Sequence, residues 1–209
     1  MRWVYLSPHF DDVVLSSGGL VWEQVRAGQQ VEIWTICAGA QAVDAPLSPF
    51  ALQLHQRWQT EQEAVSTRQQ EDQAAIGHLG AGLRYWDLPD CIYRQLPGGS
   101  WLVNGEEDLW KPVHPLELPL VEQLAAWLVD DLRPDDILVS PLTLGNHVDH
   151  FLVRAAAETL GRPLHYYPDY PYAVTSGTDL LDKTGEGWQK SCYQVSRAAL
   201  SAWQLAVGS

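Results

Sequence analysis

Five short apolar runs punctuate the chain, at residues 2–6, 31–37 (VEIWTIC), 83–86, 136–140 (DILVS) and, more weakly, 164–167. They are nearly continuous and rich in β-branched or aromatic side chains, the pattern of strands covered on both faces. Between them the apolar positions recur at helical spacing. This predicts helices over 16–28, closed by Gly28, over a long polar stretch 52–79, closed by Gly80, and over 117–132, 149–160 and 197–206. Leu118, Val121, Leu124, Ala125 and Leu128 mark the buried face of the third of these longer helices. Strand–helix alternation predicts a parallel α/β sheet with helices on both faces, and ligands in such sheets bind beyond the carboxyl ends of the strands. Residues 88–115 break the pattern with prolines, glycines and few periodic apolar positions. A loop of that length in a compact fold is either functional or decoration.

Composition narrows the function classes. Twenty-six acidic against 13 basic residues give a net charge of −13, which repels phosphate backbones and anionic lipid. No apolar segment approaches the roughly 20 residues a membrane helix requires. The opening MRWVYLSPHFDD meets charge too early for a secretory signal, so the cytoplasm is the expected compartment. Cys37, Cys91 and Cys192 are odd in number and scattered, without CxxC spacing, which predicts neither a disulfide frame nor a zinc ribbon. Of the ten tryptophans, Trp3, Trp22, Trp34, Trp86 and Trp127 fall in predicted strands or helices and are expected in the core. Trp101 and Trp110 fall in the long loop, where an aromatic face can pack on a sugar ring, core packing being the simpler assignment for either.

Two polar clusters carry the chemistry. SPHFDDVVLS, residues 7–16, sets His9, Asp11 and Asp12 just after the first strand, and PLTLGNHVDHFLVRAA, residues 141–156, sets His147, Asp149 and His150 just after the fourth. Adjacent carboxylates at a core edge are costly unless a positive charge lies between them. Clusters following two parallel strands can meet at one rim of the sheet. His9, Asp12 and His150 then form a candidate ligand set of two imidazoles and a carboxylate, which leaves a coordination position open as catalytic metal sites do. Asp11 becomes a candidate general base, and His147, as an imidazolium, a stabiliser of the developing oxyanion, with Asp149 orienting it or a ligand. The residues alone leave a second assignment open, in which the histidines are hydrogen-bonded structural groups and an aspartate caps the following helix.

PHFDDVVLSSGG followed by HVDH resembles the PIG-L/LmbE-like family of zinc-dependent N-acetylglucosamine de-N-acetylases. The likeness runs from residue 2 to about 172 and takes in Gly18-Gly19, Arg68 with Glu71, Leu79-Gly80, the turn Asp87-Leu88-Pro89-Asp90 and PDYPYA after the last strand. It implies a Rossmann-like three-layer α/β fold with a mostly parallel sheet, as a single domain over 1–209. It further implies a divalent ion (Zn2+, with Fe2+ or Co2+ as alternatives) on His9, Asp12 and His150, and Asp11 as the base that activates water. His147 would stabilise the tetrahedral intermediate or protonate the leaving amine, and Arg68 and Asp90 would contact the substrate. The implied partner is a small N-acetylated amino sugar or its conjugate, without nucleic acid or membrane insertion, and a homo-oligomer is left open. Phe10 and Val13 depart from the family's usual proline and glutamate, which bears on the pocket wall and not on the ligands. The rival functions are a metal amidase for another acyl amide and a sugar- or nucleotide-binding module on the same fold. The intact His9/Asp11/Asp12/His147/His150 set argues against the binding module.

Overall fold

The computed structural model of the protein describes residues 1–41, 45–58, 64–175, 184 and 186–209. Five parallel strands, β1 (Arg2–Ser7), β2 (Gln30–Thr35), β3 (Gly82–Tyr85), β4 (Ile137–Pro141) and β5 (Leu164–Tyr167), form one sheet in the order β3-β2-β1-β4-β5. Helices α1 (Asp12–Arg26), α2 (Pro49–Trp58), α3 (Ala64–Leu79), α4 (Leu118–Asp131), α5 (Val148–Thr159), α6 (Tyr172–Thr175) and α7 (Arg197–Val207) accompany it. The strands agree with the apolar runs to within two residues. Helix α1 begins at Asp12 rather than at residue 16, and the single helix expected over 52–79 is two, α2 and α3.

Period-two alternation distributes each strand between two cores. Val4 and Leu6 face α4 and α5 alongside Trp34, Ile36 and Leu138, with Leu124, Leu128, Leu152 and Ala156 packed on them. Tyr5 faces the other way, with Ile33, Val139 and Tyr167, under Val14, Val21, Ile76 and Leu79 of α1 and α3. Trp34 and Trp86 are buried as expected, while Trp3, Trp22 and Trp127 are half-buried against these cores. The long loop is packed: Cys91, Ile92, Tyr93 and Val103 join Phe50 and Leu54 of α2 and Val148 in a third cluster. Among the described residues no helix is long and apolar enough to cross a membrane.

Strand order decides where a site can form. From β1 the chain builds outward through β2 to β3 on one side and through β4 to β5 on the other, so a crevice opens between the carboxyl ends of β1 and β4. Both polar clusters emerge there.

Gly18 has a packing reason. A Cβ at that position would come 2.6 Å from Trp203 Cδ1 on α7, and the indole is pinned because its Nε1 donates to Val14 O (2.7 Å). At Gly19 the nearest atom to such a Cβ is Val195 Cγ1 at 3.4 Å, an ordinary contact. Alanine gains about 1 kcal/mol over glycine in a helix interior, whereas overpacking costs about 1–3 kcal/mol. Gly18→Ala is therefore expected to melt below the parent by a few degrees, and Gly19→Ala at or above it. Equal melting temperatures for the two variants would contradict a fixed α1–α7 contact.

Candidate metal centre

The chain leaves β1 at Ser7 and enters α1 within five residues. Ser7 Oγ donates to His9 O (2.7 Å) and accepts from the Val13 amide (3.2 Å), while the His9 amide donates to Asp12 Oδ2 (2.8 Å). Asp11 stands at the N-cap with φ 73°, a left-handed conformation that costs a residue other than glycine roughly 1–2 kcal/mol. This kink separates two neighbouring carboxylates. Asp12 faces the crevice, and Asp11 lies within electrostatic reach of Arg68 and Glu71 on α3. Beyond β4, Gly145 lets the Tyr172 ring lie against the backbone, where a Cβ would come within 2.4 Å of it. His147 then caps α5, its Nδ1 accepting from the Asp149 amide (3.3 Å), and the first turn presents Asp149 and His150.

The two clusters meet at one oxygen. Asp12 Oδ2 lies 3.4 Å from His9 Nδ1 and 3.3 Å from His150 Nε2. A buried carboxylate braces the other nitrogen of each ring: His9 Nε2 donates to Asp149 Oδ2 (2.9 Å) and His150 Nδ1 to Asp169 Oδ1 (2.6 Å). Asp149 is held in turn by the Cys91 amide at Oδ2 (3.0 Å) and by Arg94 Nη2, 2.7 Å from Oδ1. That guanidinium is out of line for a hydrogen bond to Oδ1 and acts there by charge. Arg94 is clasped from its far side by Glu117 Oε1 and Oε2 (2.7 and 3.2 Å). The Leu144 amide donates to Asp169 Oδ2 (3.1 Å).

Charge follows this geometry. Burial opposes protonation of His9, yet Asp90, Asp12 and Asp149 raise it well above its ordinary value. Burial likewise opposes protonation of His150, and Asp12 and Asp169 carry it up to about 9. Against the upward push of burial, His150 and His9 hold Asp12 far below the carboxylate range. His147 behaves differently, because burial and then the charge of His9 push it down to about 4. Near neutral pH its ring is uncharged, with Nδ1 occupied by the Asp149 amide and the proton on Nε2. These surroundings favour a neutral N–H donor at His147 over the imidazolium expected from the sequence.

The donor set fits a divalent cation. Ligand atoms about 2.0–2.1 Å from a tetrahedral ion lie about 3.4 Å apart, and both spacings around Asp12 Oδ2 match. Ligating atoms of His9, His147 and His150 also lie within 4.8 Å of one another, as do those of His9, Cys37 and Asp149, and of Cys91, His147 and Asp149. The last two groups would use an aspartate already engaged by Arg94, His9 and Cys91. They also rely on thiols that burial and then Asp149 raise well above their ordinary value. The Asp12-centred set needs no thiol, and its aspartate meets two imidazoles rather than a guanidinium.

Beside this centre, His9, Phe10, Trp58, Arg68, Asp90 and Tyr93 line a narrow cleft with a cavity volume of about 20 Å³. Arg68 and Asp90, both expected on the substrate side, are here together. The Arg68 guanidinium lies 5.6 Å from the Phe10 ring and 5.6 Å from the Trp58 ring. Asp90 Oδ1 caps the short helix Cys91–Tyr93 through the Ile92 amide (3.1 Å), and its Oδ2 lies 3.7 Å from His9 Nε2. Trp110, 40% exposed, packs edge-on to His147 (5.5 Å) and Tyr172 (5.9 Å), whereas Trp101 is half-buried in a bridge with Gln95. Sequence reasoning missed Asp169, Arg94 and Glu117. Asp169 follows β5, so the same strand-end rule pointed to it; the Arg94–Glu117 pair has no local signature.

Residues 4–160 match the family described as PIG-L, GlcNAc-PI de-N-acetylase. A 2′-N-acetylparomamine deacetylase of Niallia circulans is 30% identical over 205 residues, covering 90% of this chain and 72% of the relative. Another, of Streptomyces fradiae, is 29% identical over 181 residues, covering 82% and 58%. The zinc-inhibited form of teicoplanin deacetylase Orf2 superposes with a TM-score of 0.82 at 31% identity, over 100% of this chain and 83% of that one. The A40926 pseudoaglycone deacetylase Dbv21 gives 0.74 at 28% identity, over 99% and 80%. Since the family match spans both polar clusters and the crevice strands between which they meet, the chain belongs to the PIG-L family of de-N-acetylases.

Proposed function

We propose that the protein is a zinc-dependent hydrolase that removes the acetyl group from an N-acetylated amino sugar carried on a larger conjugate, residues 1–209 acting as one catalytic domain. The observation that carries this reading is the position of Asp12 Oδ2 between two imidazole nitrogens whose rings are braced by Asp149 and Asp169. His9, Asp12 and His150 would hold the ion, zinc by this reading, with Fe2+ or Co2+ as the alternatives the same donors accept. When bound, the ion supplies a Lewis acid that polarises the amide carbonyl and acidifies a water.

The rest falls to the chain's own groups. Asp11 takes a proton from the attacking water and delivers it to the amine nitrogen as the C–N bond breaks, leaving acetate and the free amine. Burial raises its carboxyl above the ordinary value and Arg68 limits the rise, which suits a group that must both accept and return a proton. The Nε2–H of neutral His147 donates to the carbonyl oxygen as negative charge gathers there. Asp90 Oδ2 accepts sugar hydroxyls, the Arg68 guanidinium faces the sugar from the cleft wall, and Trp110 closes the opposite side. The paromamine and teicoplanin deacetylases among the relatives support a conjugated amino sugar.

Acetate release from 2′-N-acetylparomamine and N-acetylglucosamine conjugates tests the activity, and its absence from every conjugate would return the chain to a binding role. Elemental analysis is expected to find about one divalent ion per chain. His150→Ala should lose most of it, and Asp169→Asn should bind it roughly 10–100-fold more weakly. Full retention by His150→Ala would remove that residue from the ligand set.

Asp11 and Asp12 separate base from ligand. Asp12→Asn should lose metal and activity together, whereas Asp11→Asn should keep its metal and lose roughly 10²–10⁴-fold in kcat. Metal loss in Asp11→Asn would exchange the two roles. Trp110→Ala is expected to raise KM for a sugar conjugate with metal content intact, and unchanged kinetics would exclude the ring from substrate contact.

A further inference from the structure

Most buried carboxylates of the described residues have a cation beside them: Asp136 pairs with Arg2, Glu117 and Asp149 with Arg94, and Asp169 with His150. Asp72, on α3 and 1% exposed, has none within ion-pair distance among the described residues. Its oxygens are nonetheless engaged. Oδ1 accepts the Asp11 amide (3.0 Å) and Oδ2 accepts the Thr35 hydroxyl at the end of β2 (3.3 Å). Burial and, less strongly, the Asp11 charge push the carboxyl up to about 6, and the Asp11 amide and the Tyr85 and Thr35 hydroxyls pull it back. A carboxylate kept in the interior without a countercharge is costly, and its first bond goes to the one residue of the α1 entry that is in a left-handed conformation.

We infer that Asp72 is a positioning residue for catalysis: by accepting the Asp11 amide it holds the left-handed kink that turns Asp11 away from Asp12 and toward Arg68. Two sequential carboxylates on an ordinary strand-to-helix turn would compete for the same ion. The kink gives them separate directions, and Asp72 supplies the acceptor that satisfies the kinked, part-buried amide. Thr35 and the burial of α3 fix Asp72 itself, so the orientation of Asp11 is set from β2 and α3 rather than from its own helix. The inference rests on Asp11 as the base. An asparagine at 72 keeps a carbonyl acceptor, whereas a leucine of similar size keeps none.

The test uses the zinc-loaded full chain with 2′-N-acetylparomamine as substrate. Asp72→Leu is expected to lose on the order of 10- to 100-fold in kcat, the scale of a misplaced reacting group, at unchanged zinc content and with KM within about twofold. Asp72→Asn should keep kcat within about threefold because the acceptor remains. In an Asp11→Asn background, Asp72→Leu should add nothing further, since the two act on one step. By NMR, the Asp11 amide of the wild type should be shifted downfield and protected from exchange. Normal turnover per zinc-loaded Asp72→Leu molecule, equal losses in the Leu and Asn variants, additive losses with Asp11→Asn, or loss of zinc would each overturn the inference. Where the leucine variant does not fold, an unprotected Asp11 amide in the wild type overturns it alone. That measurement needs no substrate, so it also separates failure here from failure of the proposed activity.

Discussion

The structure turns on how a chain of net charge −13 buries carboxylates at the edge of its own sheet. Asp149 and Asp169 are almost completely inaccessible and Asp12 stands beside them, although removing a carboxylate from water costs several kcal/mol unless a cation is near. Arg94 answers for Asp149 and Glu117, and the raised pKa values of His9 and His150 show the same demand met by imidazoles. The alternation of charge runs from Glu117 through Arg94, Asp149, His9, Asp12 and His150 to Asp169. A divalent cation among His9, Asp12 and His150 would replace two imidazole protons by one ion of equal charge, the usual exchange at sites of this chemistry.

That chain of charges exists only because of topology. β1 and β4 are neighbours in the sheet although about 130 residues separate them, and each ends by turning into a helix whose first turn carries the polar groups. The braces come from further elements: Asp169 from beyond β5, Arg94 from the long loop, Glu117 from the approach to α4. The His9 and His150 rings are thus each oriented by a segment other than the one that carries them, which fixes the direction of the nitrogen facing Asp12 more tightly than a loop could on its own.

What could be seen in the sequence was whatever is periodic or local. The strand runs, the polar clusters after two of them and the capped helix ends all declare themselves within about ten residues. The division of 52–79 into α2 and α3 does not, because polar residues at helical spacing look alike on either side of a break. The start of α1 was displaced for a related reason: Asp11 and Asp12 look like a turn, and only the left-handed kink shows that Asp12 already belongs to the helix. The partnership of Arg94 with Glu117 and Asp149 joins three distant positions through burial alone, and no spacing rule reaches that far. The charge state of His147 has no local signature, because it depends on neighbours 3 and 138 residues away, His150 and His9.

The segment from Asp90 to Glu117 has two duties that cannot be separated. Its Cys91 amide and Arg94 side chain lock Asp149 and through it the His9 ring, while Asp90 lines the cleft and Trp110 packs on His147 beside the same centre. Its apolar residues Cys91, Ile92, Tyr93 and Val103 anchor it on α2, so the wall of the cleft is continuous with the core beneath it. A loop merely draped over the site could vary freely with substrate. This one can vary only at positions such as Trp110, where the side chain reaches outward, because a shift at Arg94 would leave the Asp149 carboxylate buried without its cation and release the imidazole it orients.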